Sequence, residues 1–347
     1  MYLQATARLA LYVQGGFGSG KAKTAEGILR YGTHSIAAVV DKSNRGRDLQ
    51  AVAGIANTAP IVESVADAAQ LKANTLVIGT TNFGGTLDSA ARKAIIEALN
   101  LKLDIVNGMH EFLNDDAQIA RLAKEKGCRL LDVRRPPADL PLASGKCLQM
   151  SAHRSLTVGT DASIGKMTTS MALLAECKAR NLRANFIATG QTGIMIAGQG
   201  ICIDAVLGDF MAGAVEQMVL AVESESDFIL VEGQGAIAHP GFSGVTLALI
   251  HGCCPQTMVL CHQFTRKTMK NLPYPVPTLL ESISAYEHMA SLLGPSKVVA
   301  ISLDTRGLSD REARLALQEA SELTSLPTND PVRFGVANIL DAIIAHR

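Results

Sequence analysis

Short apolar runs of strand length alternate with helical patterns along this chain from end to end. That alternation allows few folds other than layered α/β with parallel sheets. The first half offers candidate strands at Arg8–Val13, Ser35–Val40, Thr75–Ile78, Leu103–Val106 and Cys128–Val133. Within Thr86–Ala98, residues Leu87, Ala91, Ala94, Ile95 and Ala98 share one face at helical spacing. The pattern stops near Arg134, where RRPPADLPLASGK has three prolines and no periodicity, as a linker would. It resumes with candidate strands at Leu156–Val158, Arg183–Ala188, Phe228–Val231, Thr257–Cys261 and Lys297–Ser302. Ser309-Asp310-Arg311-Glu312 reads as a capping box. The last helix carries Val336, Ile339, Leu340, Ile343 and Ile344, an apolar stripe that must pack on something.

The chain is long enough, at 347 residues, for two cores. Lys plus Arg and Asp plus Glu are both 32, so no global charge draws it to nucleic acid or to an anionic membrane. Trp is absent and aromatics make up 4%, which also disfavours stacking on single strands. Seven cysteines without framework spacing favour a reducing compartment. The opening MYLQATARLALYVQGG is too short in its apolar run for a membrane span and lacks a small-residue cleavage site. The expectation is a cytoplasmic protein whose partners are a small-molecule substrate and further copies of itself, with neither nucleic acid nor membrane.

The chemistry centres on SLTVGTDASIGKMTTSMALLAE. An apolar strand runs into Gly159-Thr160-Asp161-Ala162-Ser163-Ile164-Gly165-Lys166 and then into a helix. A glycine-rich turn aims consecutive backbone N–H groups inward, the helix start adds partial positive charge, and the lysine adds a full one. The spacing predicts a phosphate site built from Gly159, Thr160, Asp161, Gly165, Lys166 and Thr168. A magnesium-dependent P-loop has Ser or Thr directly after its lysine. Met167 stands there, and Thr168 is rotated by about 100° around the helix. Phosphates fit this loop, whereas support for magnesium-dependent nucleotide hydrolysis is weak.

Neighbouring strands end in Thr189-Gly190-Gln191-Thr192-Gly193 and in Glu232-Gly233-Gln234-Gly235, followed by His239-Pro240-Gly241. In a parallel sheet such loops share the carboxyl edge, where ligands bind. Gln191 joins the expected cofactor contacts there. An apolar strand ending in an acid, Glu232, resembles a Walker-B arrangement. Asp204 and Asp209, near the helical stretch leading to Met218, are further site candidates.

In the first half, Gly15-Gly16-Phe17-Gly18-Ser19-Gly20-Lys21-Ala22 fits GxxxxGK between a strand and a helix, with Ala22 replacing the hydroxyl residue. Asp41 ends the second strand about 20 residues on, as in dinucleotide-binding folds, although GxGxxG spacing is absent. Gly18, Lys21, Asp41 and His110 are candidates for a substrate or second site. The loops Gly79–Gly85 and Asn107–Glu111 would share their sheet edge. The expected fold is therefore α/β: a Rossmann-like parallel-sheet domain over 1–134, a linker over 135–146 and a P-loop NTPase-like domain over 147–347. Cys253, Cys254, Cys261, His251 and His262 lack CxxC or HxxxH spacing, so no metal site is expected.

The strings GTDASIGKMTT, TGQTG and VEGQGAIAHPGFSGVTLALIHG together resemble a bacterial family long known only as a domain of unknown function. Its characterised members include the DgcN-type D-glutamate N-acetyltransferases. GGFGSGKAKTAEGILRYG and IAAVVD extend the resemblance into the first half, so that it spans nearly the whole chain. More distantly, the C-terminal half is similar to the dethiobiotin synthetase class of P-loop proteins. The closer resemblance implies acetyl-CoA as cosubstrate and the amino group of an acidic D-amino acid as acceptor. By position Glu232 is the first candidate base and His239 the second, with N–H groups of Gly233–Gly235 as oxyanion donors. The alternatives are an ATP- and magnesium-dependent ligase or kinase, an NAD-dependent enzyme resting on Asp41, and a nucleotide-binding module without catalysis.

Overall fold

The computed structural model describes residue 3 and residues 6–80 and 85–347. The chain divides into two compact units, Met1–Pro136 with Gln191–Cys202, and Pro137–Gly190 with Ile203–Arg347.

The first unit runs β1 (Arg8–Tyr12), α1 (Lys23–Tyr31), β2 (Ser35–Val40), α2 (Leu49–Ala53), β3 (Ile61–Val62), α3 (Val65–Gln70), β4 (Thr75–Ile78), α4 (Ser89–Asn100), β5 (Asp104–Asn107), α5 (Ala117–Lys126) and β6 (Leu130–Asp132). Its sheet is parallel in the order β3-β2-β1-β4-β5-β6, the doubly wound Rossmann arrangement. The order reverses between β1 and β4, so the glycine-rich loop after β1 sits at the switch point. The helix expected from Thr86 starts later, because the Asp88 carboxylate accepts the Ala91 N–H and caps it. Ala91, Ala94, Ile95 and Ala98 of the predicted face are buried, and Leu99 joins them. Ile95 and Leu99 are fully enclosed, each contributing about 1.5–3 kcal/mol of burial.

The remaining elements are β7 (His153–Gly159), α6 (Lys166–Ala179), β8 (Ala184–Ile187), α7 (Gln191–Ala197), α8 (Gly208–Leu220), β9 (Phe228–Val231), α9 (Ser243–Cys253), β10 (Thr257–Gln263), α10 (Leu279–Ser291), β11 (Lys297–Asp304), α11 (Asp310–Thr324), β12 (Thr328–Asn329) and α12 (Ala337–Ala345). All but α7 belong to the second unit, whose sheet is parallel in the order β12-β11-β10-β7-β9-β8. The capping box at Ser309 and Glu312 starts α11. Of the final stripe, Val336, Ile339, Leu340 and Ile343 pack into a core with Leu173, Phe228 and Val259, while Ile344 is exposed.

Residues 191–202 are part of the first unit. There α7 packs on α1, and Thr24 and Thr192 share a buried hydroxyl hydrogen bond of 3.0 Å. The proline-rich stretch belongs to the second unit from Pro137 onward and is held along α8. The buried Glu216 carboxylate accepts from Ser144 N–H (2.8 Å), Ser144 Oγ (2.9 Å) and Lys146 N–H (2.7 Å). Among the described residues no helix is long and apolar enough to cross a membrane.

Candidate active site

The phosphate loop forms where β7, the strand between β10 and β9, reaches its carboxyl end. The chain turns through Ser163 (φ 58°) and Gly165 (φ 102°) and enters α6 at Lys166. Positive φ at Gly165 is the reason for glycine there. A Cβ on Gly159 would lie 2.8 Å from Ile164 Cδ1 and 3.1 Å from Lys166 Nζ, so a side chain there would press on both. Lys166 is buried and folds across the loop, its Nζ donating to the Asp161 carbonyl at 2.8 Å. Thr160 N–H donates to the Cys261 carbonyl at 3.1 Å, and Thr160 Oγ1 shares a 2.8 Å hydrogen bond with His262 Nδ1. Burial, and then Lys267 and Arg266, push the His262 pKa down to about 4.

The Asp161 carboxylate has zero exposure and serves the loop itself. Oδ1 accepts the Ala162 N–H at 2.7 Å, and Oδ2 accepts Arg266 Nη1 at 3.1 Å and the Lys270 N–H at 2.8 Å. Met167 is buried at the usual hydroxyl position, and Thr168 is half-buried. The Thr169 hydroxyl bonds Gly165 O (3.0 Å) and Ser302 Oγ (2.7 Å), while Ser170 Oγ pairs with Thr157 Oγ1 (3.0 Å).

Glu232 follows β9 and is 3% exposed. Its Oε2 accepts the N–H groups of Thr189 (3.0 Å) and Gly190 (3.2 Å), joining the ends of β8 and β9. Thr189 Oγ1 donates to the Glu232 carbonyl at 2.6 Å, and Gln234 Nε2 donates to Thr189 Oγ1 at 3.2 Å. A Cβ on Gly233 would fall 1.7 Å from the Thr157 carbonyl oxygen, and the Gly233 N–H donates to Thr157 Oγ1 at 3.0 Å. The ends of β7, β8 and β9 are thus tied together beside the loop through the side chains of Thr157, Thr189 and Glu232.

His239 is buried and stacked on Phe242, with ring centroids 4.4 Å apart. Its Nδ1 accepts the Gly241 N–H at 3.1 Å, so Nε2 carries the proton and donates to the Lys270 carbonyl at 3.1 Å. Both ring nitrogens are held by backbone.

Two contributors escaped sequence reasoning. Tyr286 of α10 is fully buried; its hydroxyl donates to the Gly159 carbonyl (2.7 Å) and accepts the N–H groups of Gly159 (3.3 Å) and Ile237 (3.0 Å). Burial pushes its phenol pKa up. Lys270, in the connection from β10 to α10, donates from Nζ to Ser163 Oγ at 2.7 Å. A lone tyrosine or lysine more than 100 residues from the motif gives no local signal.

Gln191 opens α7 in the first unit, where its Oε1 accepts Arg134 Nη1 at 3.1 Å. Asp204 is exposed in a short turn, and Asp209 is exposed in the first turn of α8. In the first unit, Gly18 (φ 73°) and Lys21 are exposed in the glycine-rich loop. A cavity of about 220 Å³ there is lined by Tyr12, Gly15, Ser19, Lys21, Thr80 and Asp88. Asp41 has zero exposure and holds that loop. Oδ1 accepts Gly15 N–H (2.9 Å), Ser43 N–H (3.2 Å) and Ser43 Oγ (2.6 Å), and Oδ2 accepts Asn44 Nδ2 (2.8 Å). Burial works to raise its pKa, but these hydrogen bonds outweigh it and hold the carboxyl below its ordinary value. His110 is exposed, with its N–H on the Gly85 carbonyl at 2.8 Å. Of the loop Gly79–Gly85, residues 81–84 lie outside the described residues. Six of the seven thiols are buried, and burial raises the pKa of both Cys253 and Cys261. Among the described residues no group of three or more His, Cys, Asp or Glu could hold a metal ion.

Strand, glycine-rich loop, buried lysine and helix, with an acid ending the adjacent strand, define the second unit as a P-loop domain, and the first unit is Rossmann-like. The chain belongs to the DUF1611 family. Residues 141–340 match "Domain of unknown function (DUF1611_C) P-loop domain", and residues 42–136 match "Domain of unknown function (DUF1611_N) Rossmann-like domain". A D-glutamate N-acetyltransferase from Tritonibacter scottomollicae is 41% identical over 276 residues, covering 79% of this chain and 82% of the relative. One from Pseudoalteromonas sp is 38% identical over 279 residues, covering 80% and 83%. The crystal structure of a DUF1611 family protein from Anabaena variabilis is similar with a TM-score of 0.94 and 39% identity, over 98% of this chain and 99% of that one. Both named relatives are N-acyltransferases, and this chain is an enzyme of that class.

Proposed function

We propose that the enzyme transfers the acetyl group of acetyl-CoA to the amino group of an acidic D-amino acid, D-glutamate first. The observation that carries this reading is a phosphate loop complete in its glycines and lysine but with buried Met167 where a magnesium-binding hydroxyl would stand. The Asp161 carboxylate is engaged by Arg266 and the Lys270 N–H, which leaves it poorly placed to serve a cation. A diphosphate held by loop N–H groups, the start of α6 and Lys166 fits such a site without magnesium. CoA carries a diphosphate and a 3′-phosphate, and the two named relatives support an acetyl donor.

Acetyl transfer to an amine needs the amine uncharged and the developing oxyanion met by donors. Glu232 is the proposed base, from its position at the strand end beside the loop. His239 is the weaker candidate, because both its nitrogens are held by backbone. Gly233 N–H already donates to Thr157, so the proposed oxyanion donors are Gln234 and Gly235. The buried thiols support a cytoplasmic location.

The test is thiol release from acetyl-CoA with a panel of L- and D-amino acids in excess EDTA. Release with D-glutamate or a close acidic analogue is expected, and Glu232→Gln should lower turnover by about 10²–10⁴ while acetyl-CoA still binds. Normal turnover in Glu232→Gln would remove its role. No release with any acceptor, alongside magnesium-dependent ATP turnover, would overturn the reading.

A further inference from the structure

We propose that Lys270 is a second phosphate-binding residue of this site, carried to the phosphate loop by a hairpin whose backbone Asp161 and His239 fix in place. The inference rests on the reading above, in which the acyl donor's phosphates lie at the loop.

The chain from Phe264 to Pro277 forms neither helix nor strand. It folds back on itself through Met269 N–H to Tyr274 O (2.8 Å), Leu272 N–H to Met269 O (3.1 Å) and Val276 N–H to Lys267 O (3.1 Å). Thr268 and Pro275 face each other as an antiparallel bridge. Lys270, near its tip, is anchored three times. Its N–H goes to Asp161 Oδ2 (2.8 Å), its carbonyl takes His239 Nε2 (3.1 Å), and its Nζ donates to Ser163 Oγ (2.7 Å). Asp161 and Ser163 are both residues of the phosphate loop.

This arrangement has little purpose as a fold device alone. Ordering a lysine side chain sacrifices rotamer freedom, and a neutral hydroxyl returns little Coulomb energy for it. Of the hairpin's other cations, Arg266 is matched, its Nη1 lying 3.1 Å from Asp161 Oδ2, and Lys267 is exposed. Among the described residues the Lys270 ammonium has the Ser163 hydroxyl as its hydrogen-bond partner, while burial, and then Arg266, draw its pKa below the ordinary lysine value against the pull of Asp161. A phosphate oxygen at the loop supplies the anion that this ammonium is set to meet. A point charge with three rotatable donors suits that task. Asp161 and His239 are then positioning residues, acting through the hairpin backbone.

The experiment measures binding of inorganic pyrophosphate, acetyl-CoA and the phosphate-free acetylpantetheine by calorimetry. Lys270→Met should weaken pyrophosphate and acetyl-CoA by about 10- to 100-fold and leave acetylpantetheine unchanged, with Lys270→Arg recovering part of the loss. His239→Gln should weaken pyrophosphate in the wild-type background and add nothing in Lys270→Met, which a general loss of structure would not reproduce. Unchanged pyrophosphate affinity in Lys270→Met, while Lys166→Ala loses it, would overturn the assignment and leave the acetyl-donor reading standing. Wild-type protein that binds pyrophosphate but not acetyl-CoA would sink that reading instead, with Lys270 then decided on pyrophosphate alone. Failure of the wild type to bind pyrophosphate would overturn both.

Discussion

Acidification from pH 7 to 5 should cost the second unit about 2 kcal/mol through His153 alone. The ring is 2% exposed at the start of β7, with Nε2 on Thr257 Oγ1 at 3.0 Å and its edge toward Phe228, centroids 5.9 Å apart. Burial first, and the Arg154 guanidinium second, lower its pKa to about 4. In the unfolded chain the value returns to about 6.5. Below 6.5 the unfolded chain therefore takes a proton that the folded one refuses, and stability falls until the pH passes about 4. At pH 5 the unfolded state is favoured by a factor of about 30, against little more than 1 at pH 7, which gives the figure above. His262, also lowered to about 4, adds a similar loss. Subtracting a His153→Gln variant, whose amide can still reach Thr257, isolates the His153 part. The chain has no Trp, so urea unfolding is best followed by circular dichroism at the two pH values. The variant should lose about 2 kcal/mol less than wild type, and the His153 ring resonance should not titrate above pH 5. Equal losses in the two proteins, or a ring titrating near 6.5, would refute burial as the governing cause.

Two further substitutions, with Gly208→Ala as a control, test the frame of the second unit. Gly233→Ala sets a Cβ 1.7 Å from the Thr157 carbonyl oxygen. It should destabilise the protein by about 3 kcal/mol or more and abolish pyrophosphate binding in calorimetry. Gly208→Ala, with nothing within 4 Å, should be silent in the same urea unfolding. Glu216→Gln leaves part of the three-donor set from Ser144 and Lys146 without an acceptor and should cost about 2–3 kcal/mol. Hydrogen exchange should show the Ser144 and Lys146 amides losing protection. Since those bonds outweigh burial and hold the Glu216 pKa below its ordinary value, wild type should approach the variant as pH falls through the folded value.

What the sequence made legible was whatever is encoded locally. Period and apolar runs located the long strands of both sheets, and the loop from Gly159 to Lys166 announced itself between β7 and α6. The two-residue strands β3 and β12 left no trace, because edge pairing of that length needs no apolar run. Asp161, His239 and Asp41 illustrate a different limit. Each is a titratable residue in a glycine-rich setting, and such residues read alike whether they serve a ligand or a backbone. Only the hydrogen bonds distinguish the cases: Asp161 and His239 grip Lys270, and Asp41 grips Gly15. Lys270, Tyr286 and Glu216 were invisible for the complementary reason, since their partners are 107, 127 and 72 residues away in sequence.

The membership of residues 191–202 in the first unit bears on how the chain is made. A ribosome that has released residues 1–136 has delivered every strand of the Rossmann-like sheet but not α7, against which α1 buries Thr24. That face of α1 waits through the synthesis of β7, α6 and β8 before its cover arrives. The two units are therefore not beads that mature in turn during translation. The N-terminal one gains α7 only when more than half of the polypeptide has emerged, and a fragment cut at the proline-rich stretch lacks α7 and the Thr24–Thr192 hydrogen bond.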